Sequence, residues 1–139
     1  MHRNTYLNSP DNLTPHYSLR RMPGIFFAGQ ITGVEGYIES TASGLLAGYY
    51  AGLEALGKEC EFEPDAQTVI GSMALYVSDP NVKRFVPMNA NFGIVAPIAG
   101  KFRGKTAKKD KNYAIATRSL EQIDRFADTI SKIRNQEQK

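Results

Sequence analysis

The stretch Pro23–Gly57, PGIFFAGQITGVEGYIESTASGLLAGYYAGLEALG, constrains the fold more than any other part of the chain. Gly24 to Gly29 is a short apolar run between turn residues, which predicts a strand covered on both faces. Gln30 to Tyr37 follows as a polar loop with two glycines, where backbone N–H groups can approach a ligand closely. From about Ile38 to Leu56, the residues Ile38, Leu45, Leu46, Tyr49, Leu53 and Leu56 recur at helical spacing and predict one buried stripe. Gly57 is placed to cap that helix. Gly44, Gly48 and Gly52 recur every fourth residue. A glycine inside a helix costs roughly 1 kcal/mol relative to alanine, so three on one face imply tight packing against a sheet or a ligand.

The rest of the chain reads as support for this unit. With 139 residues, it is long enough for one modest domain. Residues 1–22 are polar and broken by Pro10 and Pro15; Asn4 to Pro10 can hold one short strand ending in a turn. This opening reads as the return from an earlier part of a larger protein. After a charged linker, Lys58 to Pro64, Asp65 suits an N-cap for a short helix with Ala66, Ile70, Met73 and Val77 on one face, stopping before Asp79-Pro80. Val82 to Ile98 is irregular, interrupted by Pro87, Gly93 and Pro97, and reads as loop with a brief extended segment. A basic, exposed stretch runs from Gly100 to Lys111. The last helix is expected from Asn112 or Tyr113, with Ala116, Leu120, Ile123, Phe126, Ala127, Ile130 and Ile133 on its apolar face. The fold class is α/β (α+β as an isolated piece), helix-rich with three helices, and its sheet is incomplete. The divisions are 1–22, 23–57 and 58–139.

Some classes are disfavoured outright. No apolar run approaches the roughly 18 residues of a bilayer span, so no membrane partner is expected. The N-terminus has no basic-then-apolar signal pattern, and the single cysteine, Cys60, fits a reducing, cytoplasmic setting. No metal-ligand spacing is present. There is no GxGxxG, so the chain can hold at most part of a dinucleotide site. What remains is a helix N-terminus behind a glycine loop, which favours an anion or an electron-rich carbonyl.

FFAGQITGVEGYIESTASGLLAG resembles the C-terminal flavin-contacting segment of the bacterial folate- and FAD-dependent tRNA (uracil-5-)-methyltransferases. MHRNTY with Asn8-Ser9-Pro10, and Pro87-Met88-Asn89-Ala90-Asn91-Phe92-Gly93, are similar to further segments of that family, in the same order. The larger FAD-dependent tRNA uridine-modifying enzymes that act at the wobble position share AGQI-G--GY-E but differ around it. The resemblance covers nearly the whole chain, yet family members are much longer. It implies the C-terminal part of a Rossmann-like FAD domain, with the cofactor-holding half upstream or on another chain. In the family, a methylene passes from methylenetetrahydrofolate to C5 of a T-loop uridine in tRNA, with reduction by FAD and NAD(P)H.

Carried onto this sequence, the resemblance puts Gly29, Gln30, Ile31, Thr32, Gly33, Gly36, Tyr37 and Glu39 at a partial FAD site. Tyr37 is the ring-stacking candidate, and Glu35 a possible pterin or ribityl contact. His2, Arg3, Asn4, Tyr37 and Asn91 fall on the substrate side. Lys101, Arg103, Lys105, Lys108, Lys109 and Lys111, with Arg118, form a basic patch for tRNA, with Phe102 and Tyr113 as stacking partners. No catalytic residue is assigned. Cys60 is flanked by carboxylates that oppose thiolate formation, and the resemblance implies a reactive cysteine upstream. The chain alone is expected neither to bind FAD tightly nor to methylate tRNA. Two other readings stay open: a non-enzymatic RNA-binding accessory module using residues 101–118, and a piece of a flavin oxidoreductase unrelated to tRNA.

Overall fold

A computed structural model describes residues 5–136 of the chain. It is a helix-rich α/β structure with the order α1 (Ser9–Asn12), β1 (Ser18–Leu19), β2 (Met22–Phe26), a 3-10 turn (Gly29–Thr32), α2 (Tyr37–Leu56), α3 (Val69–Ser78) and α4 (Ala107–Gln136). The three long helices are those the sequence predicts. Instead of a strand ending at Pro10, the described part of the opening segment makes one helical turn, started by Pro10 near its N-terminus. Leu13 and Tyr17 then plunge into the core, 0% and 1% exposed. Burial also drives the Tyr17 phenol pKa well above its ordinary value. This segment forms one wall of the core.

β1 and β2 pair antiparallel, Ser18 with Phe26 and Leu19 with Met22, with an irregularity between Ser18 and Leu19. The 22–26 strand is not covered on both faces: Met22 is 56% exposed and Ile25 39%. An apolar strand bounded by turns specifies extended backbone, but covering it takes neighbouring elements, and the described residues supply one short partner only.

Helix α2 starts and ends as expected, with Gly57 in the left-handed region donating its N–H to the Glu54 carbonyl. Its buried face shares only Leu46 and Leu53 with the predicted one. Ser43, Leu46, Ala47, Tyr50 and Leu53 point inward, whereas Ile38, Leu45 and Leu56 are exposed. The glycines at 44, 48 and 52 meet nothing: a methyl added at any of them finds no neighbouring atom within 4 Å. The tight packing that their spacing implies is therefore not made among the described residues.

Helix α3 begins at Val69, not Asp65, because Thr68 is the cap that accepts from the Gly71 N–H. Asp65 instead organises the preceding turn, its carboxylate accepting from the Gln67 N–H at 2.9 Å. Met73, Ala74 and Val77 carry α3 into the core.

Helix α4 starts at Ala107, five residues before the expected position, so Lys108, Lys109 and Lys111 are helical. Lysine is a good helix former, and no apolar periodicity was needed to extend the helix through them. The buried stripe of α4 is rotated from the predicted one: Ile115, Ser119 and Phe126 are buried, while Leu120 is 65% exposed.

Candidate functional site

The candidate site is built around the N-terminus of α2. Gly29 to Thr32 wind into a 3-10 turn that closes on Gly33, whose N–H donates to the Gln30 carbonyl at 2.9 Å. Thr32 is fully buried, and its hydroxyl donates back to the Gly29 carbonyl at 2.7 Å. It braces the turn from within. The Gly29 N–H is taken by Ser43 Oγ at 2.8 Å, and the Ile31 carbonyl by the Leu7 N–H at 2.8 Å. The turn is thereby anchored to α2 and to the opening segment.

The next residues pair with a distant loop. Val34 and Met88 form a parallel bridge, with Met88 N–H donating to Gly33 carbonyl and Glu35 N–H to Met88 carbonyl, at 3.1 and 3.0 Å. Gly36 then turns the chain at φ +90°, and a side chain there would collide with the Glu39 carboxylate and the Asn89 amide. Only glycine meets both demands. No side chain caps Gly36, so the first turn of α2 keeps the partial positive charge of a helix N-terminus.

Tyr37, at the first helical position, is 93% exposed, and Ile38 behind it 83%. Tyr37 is thus not a core tyrosine; its whole ring is offered outward. Glu39 points the other way, and its carboxylate accepts from the Ala90 N–H at 3.2 Å, fastening the loop at 88–93 beside the helix start. In that loop, Asn91 Oδ1 accepts from the Gly93 N–H at 2.8 Å and its amide donates to the Asn89 carbonyl. Asn91 and Gln30 are exposed, Glu35 half-buried. His2, Arg3 and Asn4 lie outside the described residues.

The same loop reaches a second feature. A pocket of about 660 Å³ is lined by Phe92, Lys105, Lys108, Lys109, Asn112 and Tyr113, among others. Phe92 is 41% and Tyr113 75% exposed, so two aromatic rings stand among three ammonium groups. Phe92 was missed as an aromatic partner; its place in the NFG motif was the signal. Phe102, the expected stacking residue, is half-buried and does not line this pocket. Lys101, Arg103 and Lys111 are exposed nearby in sequence. Arg118 is not part of a free basic surface: its guanidinium donates to the carbonyls of Ala96 and Pro97, at 2.6 and 3.0 Å. It staples the 96–97 loop to α4.

Cys60 is no activated nucleophile. Burial pushes its thiol pKa up, and Glu63 adds to the effect, against a lowering by the hydrogen bond to the Phe62 carbonyl.

Comparison with known proteins places these features in context. Residues 1–59 match the family described as Glucose inhibited division protein A. The chain is 51% identical over 126 residues to the methylenetetrahydrofolate–tRNA-(uracil-5-)-methyltransferase TrmFO of Bacillus cytotoxicus, covering 91% of this chain and 28% of that protein. The proteins of the same name from Anoxybacillus flavithermus and Shouchella clausii are 52% and 49% identical, over the same shares. The chain therefore spans 28% of the length of these curated relatives.

Proposed function

We propose that this chain, 51% identical over 91% of its length to a methylenetetrahydrofolate–tRNA-(uracil-5-)-methyltransferase, supplies the flavin-edge and tRNA contacts of such an enzyme. The whole reaction, methylene transfer from methylenetetrahydrofolate to C5 of a T-loop uridine with reduction by FAD and NAD(P)H, belongs to the complete assembly. In this reading residues 23–57 are the strand–loop–helix of a Rossmann-like FAD domain, completed by a cofactor-holding half that the chain does not contain. Bound flavin supplies the electrons that turn the transferred methylene into a methyl group.

The residues present fit the redox edge of a flavin. The first turn of α2 has no side-chain cap, and its unpaired backbone N–H groups favour negative charge. The exposed Tyr37 ring presents a flat face for an isoalloxazine or pterin ring. Glu39 acts as a positioning residue, holding the 88–93 loop against the helix start. The observation that carries the reading is the continuity of that loop: one end pairs with Gly33–Glu35 and the other puts Phe92 into the lysine pocket. A base held by a phosphate backbone on the lysines is thereby led toward the flavin edge. Lys105, Lys108 and Lys109 contribute through phosphate charge, and Phe92 and Tyr113 through stacking on unpaired bases.

Two measurements test this. Replacing Lys105, Lys108 and Lys109 together with alanine should weaken tRNA binding and reduce the slope of log affinity against log salt by about 2–3. An unchanged slope reduces the lysines to solvated surface. The chain alone should leave the fluorescence of added FAD unquenched, whereas with the FAD-holding remainder of a relative it should quench the flavin, less so as Tyr37→Ala. Tight FAD binding by the chain alone would overturn the division of labour.

A further inference from the structure

At the far end of α2, three chemically different side chains converge. His16 comes from the segment before β1, and Cys60 and Glu63 from the linker after α2; their ligating atoms all lie within 4.8 Å of one another. Tyr50 is 13 residues beyond Tyr37, about 20 Å along the helix axis, so this cluster is separate from the flavin-edge loop. We propose that His16 Nε2, Cys60 Sγ and one Glu63 carboxylate oxygen form a three-ligand site for a divalent ion of the zinc class.

The chemistry of the set favours such an ion. Imidazole nitrogen, thiolate sulfur and carboxylate oxygen are the three donors that zinc takes, and three protein ligands leave a fourth position for water or a small ligand. Hard ions such as magnesium and calcium select oxygen only. Metal–ligand bonds of about 2.0–2.3 Å put tetrahedral ligand atoms roughly 3.3–3.8 Å apart. His16 Nε2 and Glu63 Oε2 stand 2.5 Å apart, so that pair opens by about 1 Å on binding. Glu63 is two-thirds exposed and has the freedom to do so. On binding, the thiol hydrogen bond to the Phe62 carbonyl is broken and its proton passes to solvent.

The surroundings hold the donors in place before any ion arrives. The His16 ring stacks on Tyr50, centroids 4.1 Å apart and planes within 18°. The Tyr50 hydroxyl donates to the Phe62 carbonyl at 3.0 Å, which fixes the backbone between Cys60 and Glu63. All three donors line a pocket of about 620 Å³ with Arg20, Lys58 and Glu54 on its wall. The fourth coordination position opens into that pocket. Occupancy would pin the 58–64 linker to the wall that Leu13 and Tyr17 build. No spacing rule reveals the set, because 43 residues lie between His16 and Cys60 and only the fold joins them.

The full chain, stripped with chelator, tests this by titration with cobalt(II) and with zinc(II) against a chromophoric chelator. One equivalent of cobalt should give a thiolate-to-metal charge-transfer band that Cys60→Ser abolishes. His16→Asn and Glu63→Gln should each weaken zinc at least about tenfold. Zinc should also protect Cys60 from iodoacetamide. Glu63 is exposed, so Glu63→Gln keeps the test sound even if another variant folds poorly. Equal zinc affinity in wild type and Glu63→Gln, or cobalt binding without a thiolate band, overturns the proposal.

Discussion

Replacing Phe126 with alanine should remove about 3–5 kcal/mol of folding free energy. The side chain is 2% exposed. Its ring stacks on Phe62 at 4.2 Å and meets Tyr49 edge-on at 4.9 Å. Aromatic pairs add about 0.5–1.5 kcal/mol beyond area burial, so two contacts push the loss to the upper part of that range. A domain of this size has about 5–15 kcal/mol in total. Phe126 also joins three segments in one cluster: α2 through Tyr49, the linker through Phe62, and α4 itself. A polar helix of this kind derives its stability mainly from such packing, so its loss should let the C-terminal half of α4 exchange its amide hydrogens freely. Urea unfolding and hydrogen exchange measure both effects. Leu120→Ala is the control: that residue is 65% exposed and should change stability by no more than about 0.5 kcal/mol. A loss below 1 kcal/mol for Phe126, or equal losses at both positions, sinks the rotated stripe.

That contrast shows what the sequence makes legible. Periodicity placed all three long helices, and Gly57 marked the end of α2 because glycine readily takes the left-handed conformation that commonly ends a helix. Periodicity did not select the face. In α4, Leu120 and Ile115 point about 140° apart, and hydrophobicity ranks them about equally. The choice falls to Phe62 and to Ser119, whose hydroxyl accepts from the Val69 N–H at the start of α3. In α2, Ile38, Leu45 and Leu56 are exposed, and a methyl added at Gly44, Gly48 or Gly52 would meet nothing within 4 Å. Helical spacing marks these residues as one periodic set, but neighbouring elements decide which side of the helix is covered.

The site divides along the same line. The glycine loop, Tyr37 and the lysines were legible as residue types suited to an anionic ring edge and to phosphate. Their connection was not. Glu39 read as a ligand contact, and its brace on Ala90 could not be read from the sequence. Arg118 looked like one more cation and instead satisfies two carbonyls. Phe92 entered the lysine pocket from a loop read only as shaped. Long-range pairing decides each of these, and residue type alone does not carry it.

The second large effect comes from a single methyl group. Gly71→Ala places a Cβ against the backbone oxygen and nitrogen of Asp65 and 2.7 Å from the Thr68 hydroxyl. The obstacle is backbone, so no rotamer change relieves it. The turn from Asp65 to Thr68 must move, and it is held on every side. Thr68 N–H donates to Asp65 carbonyl, Ser72 Oγ to Ala66 carbonyl, and Ala96 N–H to the same Ala66 carbonyl. Overpacking costs about 1–3 kcal/mol and a lost Thr cap about 1 more. Alanine's helix propensity returns about 1 kcal/mol, leaving a net loss of about 1–3 kcal/mol. The same change at Gly52 should have the opposite sign. A methyl there meets nothing within 4 Å, so the propensity gain of about 0.5–1 kcal/mol is unopposed in the chain alone. Thermal unfolding of the two variants settles both signs. If Gly52→Ala stabilises the isolated chain yet weakens its association with the FAD-holding remainder of a relative, the glycine row is a docking face. If Gly71→Ala unfolds within 0.5 kcal/mol of the parent, the Asp65–Thr68 turn is not the rigid N-terminal anchor of α3.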